Sequence, residues 1–197
     1  IRVPTSLVSA PNYRLVLDPL ASLILRRTTQ DQAFRPLGEV TLSTQGLAGN
    51  RFTVVRKGKR GGAFPFLMKG QVRRYRLEEE RLADVDMSDK PSLQRYYESG
   101  PKILIRRVIS RGDRLFCTYE NRRLVFKKDI NPFIINDPKL DTYSVLAVLN
   151  SRLISYLYLN TSAIATKDDF RQTTLAELRG LPIPKLDAAD PSSERLS

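Results

Sequence analysis

The sequence contains no histidine. That absence excludes the Ser-His-Asp and Cys-His nucleophile systems, the His-rich zinc sites of hydrolases and deaminases, and the usual general base at neutral pH. The single cysteine, Cys117, excludes a thiolate zinc cluster and an intrachain disulfide. Long apolar runs are also missing: Leu15 to Leu25 is interrupted by Asp18, and Val145 to Leu159 by Asn150 and Arg152. Both fall short of the roughly 20 apolar residues of a spanning helix, so no membrane role is expected. With no visible signal peptide and Ile1 at its start, the chain reads as an excised piece of a larger, cytoplasmic protein.

Positive charge is plentiful. Lys plus Arg number 33 against 21 acids, a net charge of +12 and a pI near 10.1. A cationic surface concentrates polyanions before any specific contact forms, so of nucleic acid and anionic lipid, between which composition alone does not choose, the missing apolar runs weaken the second. The apolar fraction of 41% separates the chain from disordered polycations, and 197 residues suit one domain or at most two small ones.

A helix is expected after Pro19, with Leu20, Leu23, Ile24 and Arg27 on one face. Leu37 to Thr44 reads as a strand, Gly46 to Asn50 as a Gly-rich turn, Arg51 to Arg56 as a second strand, and Gly58 to Gly62 as a flexible basic loop. Lys102 to Arg107 and Arg114 to Tyr119 read as core strands of a hairpin, followed by shorter candidates at Leu124 to Phe126 and Phe133 to Ile135. The acidic segment Glu78 to Asp89 reads as an exposed helix or connector. From Thr142 to Leu159 the apolar period lengthens to 3.6, which predicts one long helix. A short helix ends at Arg179, capped by Gly180 and stopped by Pro182 and Pro184.

The cations are localised. Nine lie between Arg51 and Leu77 with no acid, and nine more between Lys102 and Lys128 beside only Asp113 and Glu120. Such strand-borne cations can hold phosphates, although a solvated basic face is the plain alternative. Tyr75, Tyr96, Tyr97 and Tyr119 interleave with them and could stack on bases; half-buried core tyrosines with hydrogen-bonded hydroxyls are the favoured reading. The loop 57–62 lacks the GxxxxGK[ST] arrangement of a nucleotide-hydrolase loop. Asp168 and Asp169 fit a helix cap better than a metal nuclease, Glu78 to Glu80 a solvated acidic face, and Cys117 a small buried hydrophobe.

Several short motifs occur in a meaningful order. Leu37-Gly38-Glu39-Val40 precedes the Gly46 to Asn50 turn; Lys69-Gly70 and Arg74-Tyr75 follow. Then come Pro101 to Arg107 (PKILIRR), Thr142 to Ser151 (TYSVLAVLNS) with Arg152-Leu153, Lys167 with Phe170, and Leu181 to Pro184 (LPIP). From about Leu20 to Lys185 the chain resembles the TaqI-like C-terminal specificity domain, the target-recognition domain of adenine-N6 DNA methyltransferases and fused type II restriction-modification enzymes. The resemblance implies double-stranded DNA as partner, together with an N-terminal methyltransferase domain of the same parent chain. It places S-adenosylmethionine and the Asn-Pro-Pro-aromatic motif in that other domain. Asn131-Pro132-Phe133 lacks the second proline and reads as a turn.

The expected architecture is mixed α+β: a twisted basic sheet with a long C-terminal covering helix. Residues 1–186 form the recognition domain, 1–30 its lead-in, and 187–197 a flexible tail. No catalytic, cofactor or metal residue is assigned within the chain. The candidate DNA-contacting residues are Arg56, Lys57, Lys59, Arg60, Lys69, Arg73, Arg74, Arg76, Arg106, Arg107, Arg122, Arg123 and Lys167. Those nearest the loop tips would read base edges in the major groove and the others would hold phosphates. An RNA-binding or ribonucleoprotein assembly module is the alternative, and a scaffold for acidic protein partners a third reading.

Overall fold

The computed structural model describes residues 8–9, 14–15, 18–55, 64–67, 71–78, 81–86, 88–109, 112, 114–162, 165 and 171–185. A two-residue antiparallel pair, β1 (Val8–Ser9) and β2 (Arg14–Leu15), precedes helix α1 (Pro19–Gln30). Short strands follow: β3 (Phe34–Pro36), β4 (Thr41–Ser43), β5 (Phe52–Val55), β6 (Phe64–Leu67), β7 (Val72–Arg73), β8 (Arg76–Leu77) and β9 (Arg81–Val85). The central strands are β10 (Lys102–Arg106), β11 (Cys117–Glu120), β12 (Val125–Phe126) and β13 (Ile130–Ile135). Helices α2 (Thr142–Leu149), α3 (Arg152–Thr161) and α4 (Leu175–Arg179) come next, with β14 (Pro182–Pro184) pairing back on β3.

The α+β class holds, but the expected single sheet is two four-stranded sheets. One has the order β11-β10-β13-β4 and is antiparallel throughout; the other has the order β12-β6-β9-β5. The β10 sequence explains how they stack. Ile103 and Ile105 pack with Val145, Leu149 and Leu157 on the helical side, while Leu104 packs with Phe66, Val125 and Phe126 on the other. A strand buried on both faces loses the polar alternation of a surface strand, which is why Ile103-Leu104-Ile105 is continuously apolar.

The expected long helix is also two. Asn150 ends α2 near φ −83°, ψ −1°, and Ser151 turns extended (φ −65°, ψ 156°) to cap α3, accepting from the Ile154 N–H at 3.1 Å. The apolar period runs through the break because both helices bury residues in the same core. The Asn150 side chain pays for the interruption by bonding the edge of β11: Oδ1 accepts from the Cys117 N–H at 3.1 Å, and Nδ2 donates to the Cys117 carbonyl at 2.9 Å. Asn150→Ala is expected to cost about 2 kcal/mol in urea unfolding, since a buried amide loses its acceptor; a loss within about 0.5 kcal/mol, as at an ordinary surface site, would contradict this role.

Four smaller expectations also change. Residues 81–85 of the acidic segment form β9, pairing with β5 and β6, because Ala83 is buried between them while Arg81 and Asp84 point outward. Asn131-Pro132-Phe133 is the middle of β13, not a turn. Pro132 lies opposite Thr44, just past the end of β4, so its missing N–H falls where that ladder stops; its carbonyl still accepts from the Thr44 N–H. The strand expected from Leu37 begins only at Thr41, after a 3-10 turn at Leu37–Glu39 whose Leu37 N–H bonds Leu181. In α1, Leu20 and Leu23 are exposed, whereas Ala21 is buried and Ile24 packs against the core. Asp18 sets that rotation: it caps the Ala21 N–H at 2.7 Å and accepts from the Tyr156 hydroxyl of α3.

In the Gly-rich turn, a Cβ on Gly46 would come within 2.2 Å of the Lys127 carbonyl oxygen. The close backbone approach therefore requires glycine.

Candidate nucleic-acid interface

The two basic segments separate into two populations. At the Lys102 end of β10, cations serve the fold. Arg122 donates from Nε and Nη2 to the nearly buried Glu120 at 3.0 and 2.7 Å. Burial would raise the Glu120 pKa, but the Arg122 side chain and the Arg122 and Asn121 amides overcome it and hold the carboxyl below its ordinary value. Arg123 lies 3.7 Å over the Phe64 ring and 3.4 Å from a Glu98 oxygen. Elsewhere Arg51 pairs with Asp89 and Arg35 with Asp137, while Arg179 donates to Ser43.

The other population gathers around residues 114–117. β7 and β8 form a hairpin with Arg74-Tyr75 at its tip, and Val72 anchors it by complete burial. The Tyr75 N–H donates to the Cys117 carbonyl at 2.9 Å, tying the tip to the same backbone that Asn150 holds. Burial pushes the Cys117 thiol well up, so this residue is a buried, inert anchor. Beside it the guanidiniums of Arg73 and Arg106 lie 5.8 and 5.6 Å from the Phe116 ring centroid. The Arg74 guanidinium lies 5.5 Å from the Tyr75 ring.

These cations act on one another. Desolvation, then Arg74 and Arg152, lowers the Arg114 pKa; desolvation, then Arg73, lowers that of Arg106. Guanidiniums remain charged under such shifts, so the effect is a concentration of positive potential. Arg74 Nε and Arg106 Nε are buried without a hydrogen-bond partner among the described residues. Glu78 is the carboxylate within this group among the described residues: it accepts from Arg73 at 2.7 Å, and that bond, with the nearby Arg76 and Arg106, holds it below the ordinary carboxylate range despite some desolvation. Arg114 Nη2 donates to the Asn150 carbonyl at 2.9 Å, linking the cluster to the α2–α3 break.

Of the sequence-level candidates, Arg73, Arg74, Arg76 and Arg106 therefore come together. Arg107 follows the end of β10, its backbone bonding Asp129 and Thr173. Arg122 and Arg123 are at the other end of the strand. Arg56, Lys57, Lys59, Arg60, Lys69 and Lys167 lie outside the described residues, as do Asp168, Asp169 and Phe170. Arg114 and Arg152 join the cluster without having been singled out: Arg114 reads from the sequence as the first residue of a core strand, and Arg152 as helix interior. Their sequence signal was position, Arg152 following the Asn-Ser break directly. Tyr97 and Tyr96 are buried, as the core reading expects. The Tyr97 hydroxyl donates to Phe126 and accepts from Leu47, and Tyr119 leans on Tyr143 with ring centroids 4.6 Å apart. Tyr75 differs, at 55% exposed.

Fold and surface together define a recognition domain: a doubly packed α+β frame that holds a cationic hairpin tip. The chain belongs to the TaqI-like C-terminal specificity domain family, whose model matches residues 65–183. It is 38% identical over 172 residues to the Methanocaldococcus jannaschii protein named "Putative type II restriction enzyme and methyltransferase RM.MjaORFECS2P", covering 84% of this chain and 14% of that protein. The chain thus spans a small part of that relative's length. In fold it is similar to the type IIG restriction endonuclease BpuSI (TM-score 0.61, 13% identity, 89% of this chain and 27% of that one). It also resembles a chain from a type I restriction-modification complex (TM-score 0.50, 14% identity, 90% and 44% coverage).

Proposed function

We propose that the chain recognises double-stranded DNA as the specificity domain of a restriction-modification adenine methyltransferase whose chemistry is performed by other domains. The observation that carries this reading is the convergence of Arg73, Arg74, Arg106, Arg114 and Arg152 around one hairpin tip, where Glu78 accepts from Arg73. Family membership and the M. jannaschii relative's name support it. Phosphate contacts from such a cluster set register and orientation, and contacts at the tip can then read the groove. A partner methyltransferase domain would take the presented base out of the stack.

S-adenosylmethionine belongs, in this reading, to that other domain. Asn131 and Phe133, in the string nearest the family's catalytic motif, are 1% and 0% exposed inside β13, which supports placing that motif in another domain.

The test is a salt titration of the full 197-residue chain on labelled duplex. With Arg73 held by Glu78 and the other four arginines on phosphates, log K against log salt is expected to fall with a slope of about −3.6. Single-stranded RNA of equal length is expected to compete poorly. Efficient displacement by that RNA would favour the ribonucleoprotein alternative, and duplex binding without a salt slope would remove the DNA reading.

A further inference from the structure

The tip of the β7–β8 hairpin carries an anomaly. Tyr75 has φ +63° and is the one non-glycine residue with positive φ among those described. The third position of a four-residue turn with this geometry ordinarily belongs to Gly or Asn, which reach the left-handed region with less steric conflict. An aromatic residue there is held against its own preference. What holds it is visible: the Tyr75 N–H bonds the Cys117 carbonyl, Val72 is buried beneath, and Arg73 pairs with Arg76 across the hairpin.

The strain does not serve packing. Tyr97, Tyr158 and Tyr96 are 0%, 1% and 4% exposed, whereas Tyr75 is 55% exposed. The backbone conformation therefore projects an aromatic face outward from a rigid support. Around that face stand cations, with the Arg74 guanidinium 5.5 Å from the ring and Arg114 and Arg152 in electrostatic reach of one another. An isolated phosphate needs the cations but not the ring, and an apolar partner needs the ring but not the cations. A nucleobase beside its phosphates needs both.

We propose that Tyr75 is the base-contacting residue of the tip, its ring stacking on a nucleobase while the neighbouring arginines hold phosphates. This rests on the DNA reading above and deepens it. In an intact duplex the bases already stack on each other, so ring insertion must first separate a base step. A duplex with one abasic site removes that cost and exposes base faces to the ring.

The experiment compares the full chain with Tyr75→Phe and Tyr75→Gly on an intact duplex and on the same duplex with one central abasic site. Wild type and Tyr75→Phe are expected to prefer the abasic duplex by about tenfold. Tyr75→Gly relieves the turn strain, so its melting temperature is expected to stay level or rise, while its preference falls to within about twofold and its salt slope is unchanged. A Tyr75→Gly protein that keeps the preference would overturn the stacking role. So would a Tyr75→Phe protein as indifferent as Tyr75→Gly, or a wild type that binds both duplexes equally with a normal salt slope. Failure of wild type to bind either duplex in a salt-dependent manner would instead overturn the DNA reading, and the stacking role with it.

Discussion

Replacing Arg74 and Arg152 together with alanine is expected to weaken duplex binding about a hundredfold and to reduce the salt slope by about 2. Each charged hydrogen bond lost contributes about 1.5 kcal/mol at the lower end of its range, and two such losses give roughly two decades. The slope changes because each phosphate contact releases a counterion when it forms. These two arginines are the informative pair, since both raise the potential at Arg114 and neither is in an ion pair with a carboxylate among the described residues. Arg122→Ala is the contrast. Its guanidinium is bound by Glu120, so its removal is expected to lower stability while leaving the salt slope intact. Fluorescence anisotropy between about 50 and 200 mM salt measures both. An unchanged slope in the Arg74/Arg152 variant, or an equal slope loss in Arg122→Ala, would remove the distinction between the two populations of cations.

Lys102→Met is expected to destabilise the fold by about 3 kcal/mol. Lys102 lies in one of the basic segments but is 1% exposed, and its ammonium donates to the carbonyls of Glu98, Gly100 and Arg122 at 2.7, 3.0 and 3.2 Å. Desolvation lowers its pKa, partly opposed by Glu120 and Glu98. Methionine keeps the apolar stem but deprives three convergent carbonyls of their donor, leaving acceptors with little access to water. The Gly100 φ of +138° lies where L side chains are rarely found, so this bend calls for glycine. Urea unfolding reads the cost, with the exposed Lys139→Met expected to stay within about 0.5 kcal/mol of wild type. A loss below about 1 kcal/mol at Lys102 would show that the carbonyls find other donors.

The outcome for individual segments follows from which forces are local. Leu175–Arg179 was legible as a short helix because its cap and stop are local: Thr174 accepts from the Glu177 N–H, and Pro182 follows shortly after. The β10–β11 hairpin was legible because apolar residues and a turn lie in order. β9 was not, since its acids suggested an exposed helix while its pairing partners are distant in the chain. The α2–α3 break was also obscured. Asn and Ser are ordinary on a helix surface, and only the Cys117 edge makes Asn150 a bridge between layers.

The sequence by itself determined where the charge lies and the class of the domain. A charge of +12 concentrated in two nearly acid-free segments, the absence of histidine and an ordered set of family motifs are properties of composition and order, and need no coordinates. Only the tertiary structure decided which cations are available to a partner. Availability depends on whether a carboxylate or carbonyl from elsewhere in the chain reaches the charge first, as Asp137 reaches Arg35, Asp89 reaches Arg51 and the Arg122 carbonyl reaches Lys102. The same long-range contacts gathered Arg74, Arg114 and Arg152 from separate segments and fixed Tyr75 outward on a strained turn, a geometry set by the Cys117 backbone rather than by any preference of tyrosine itself.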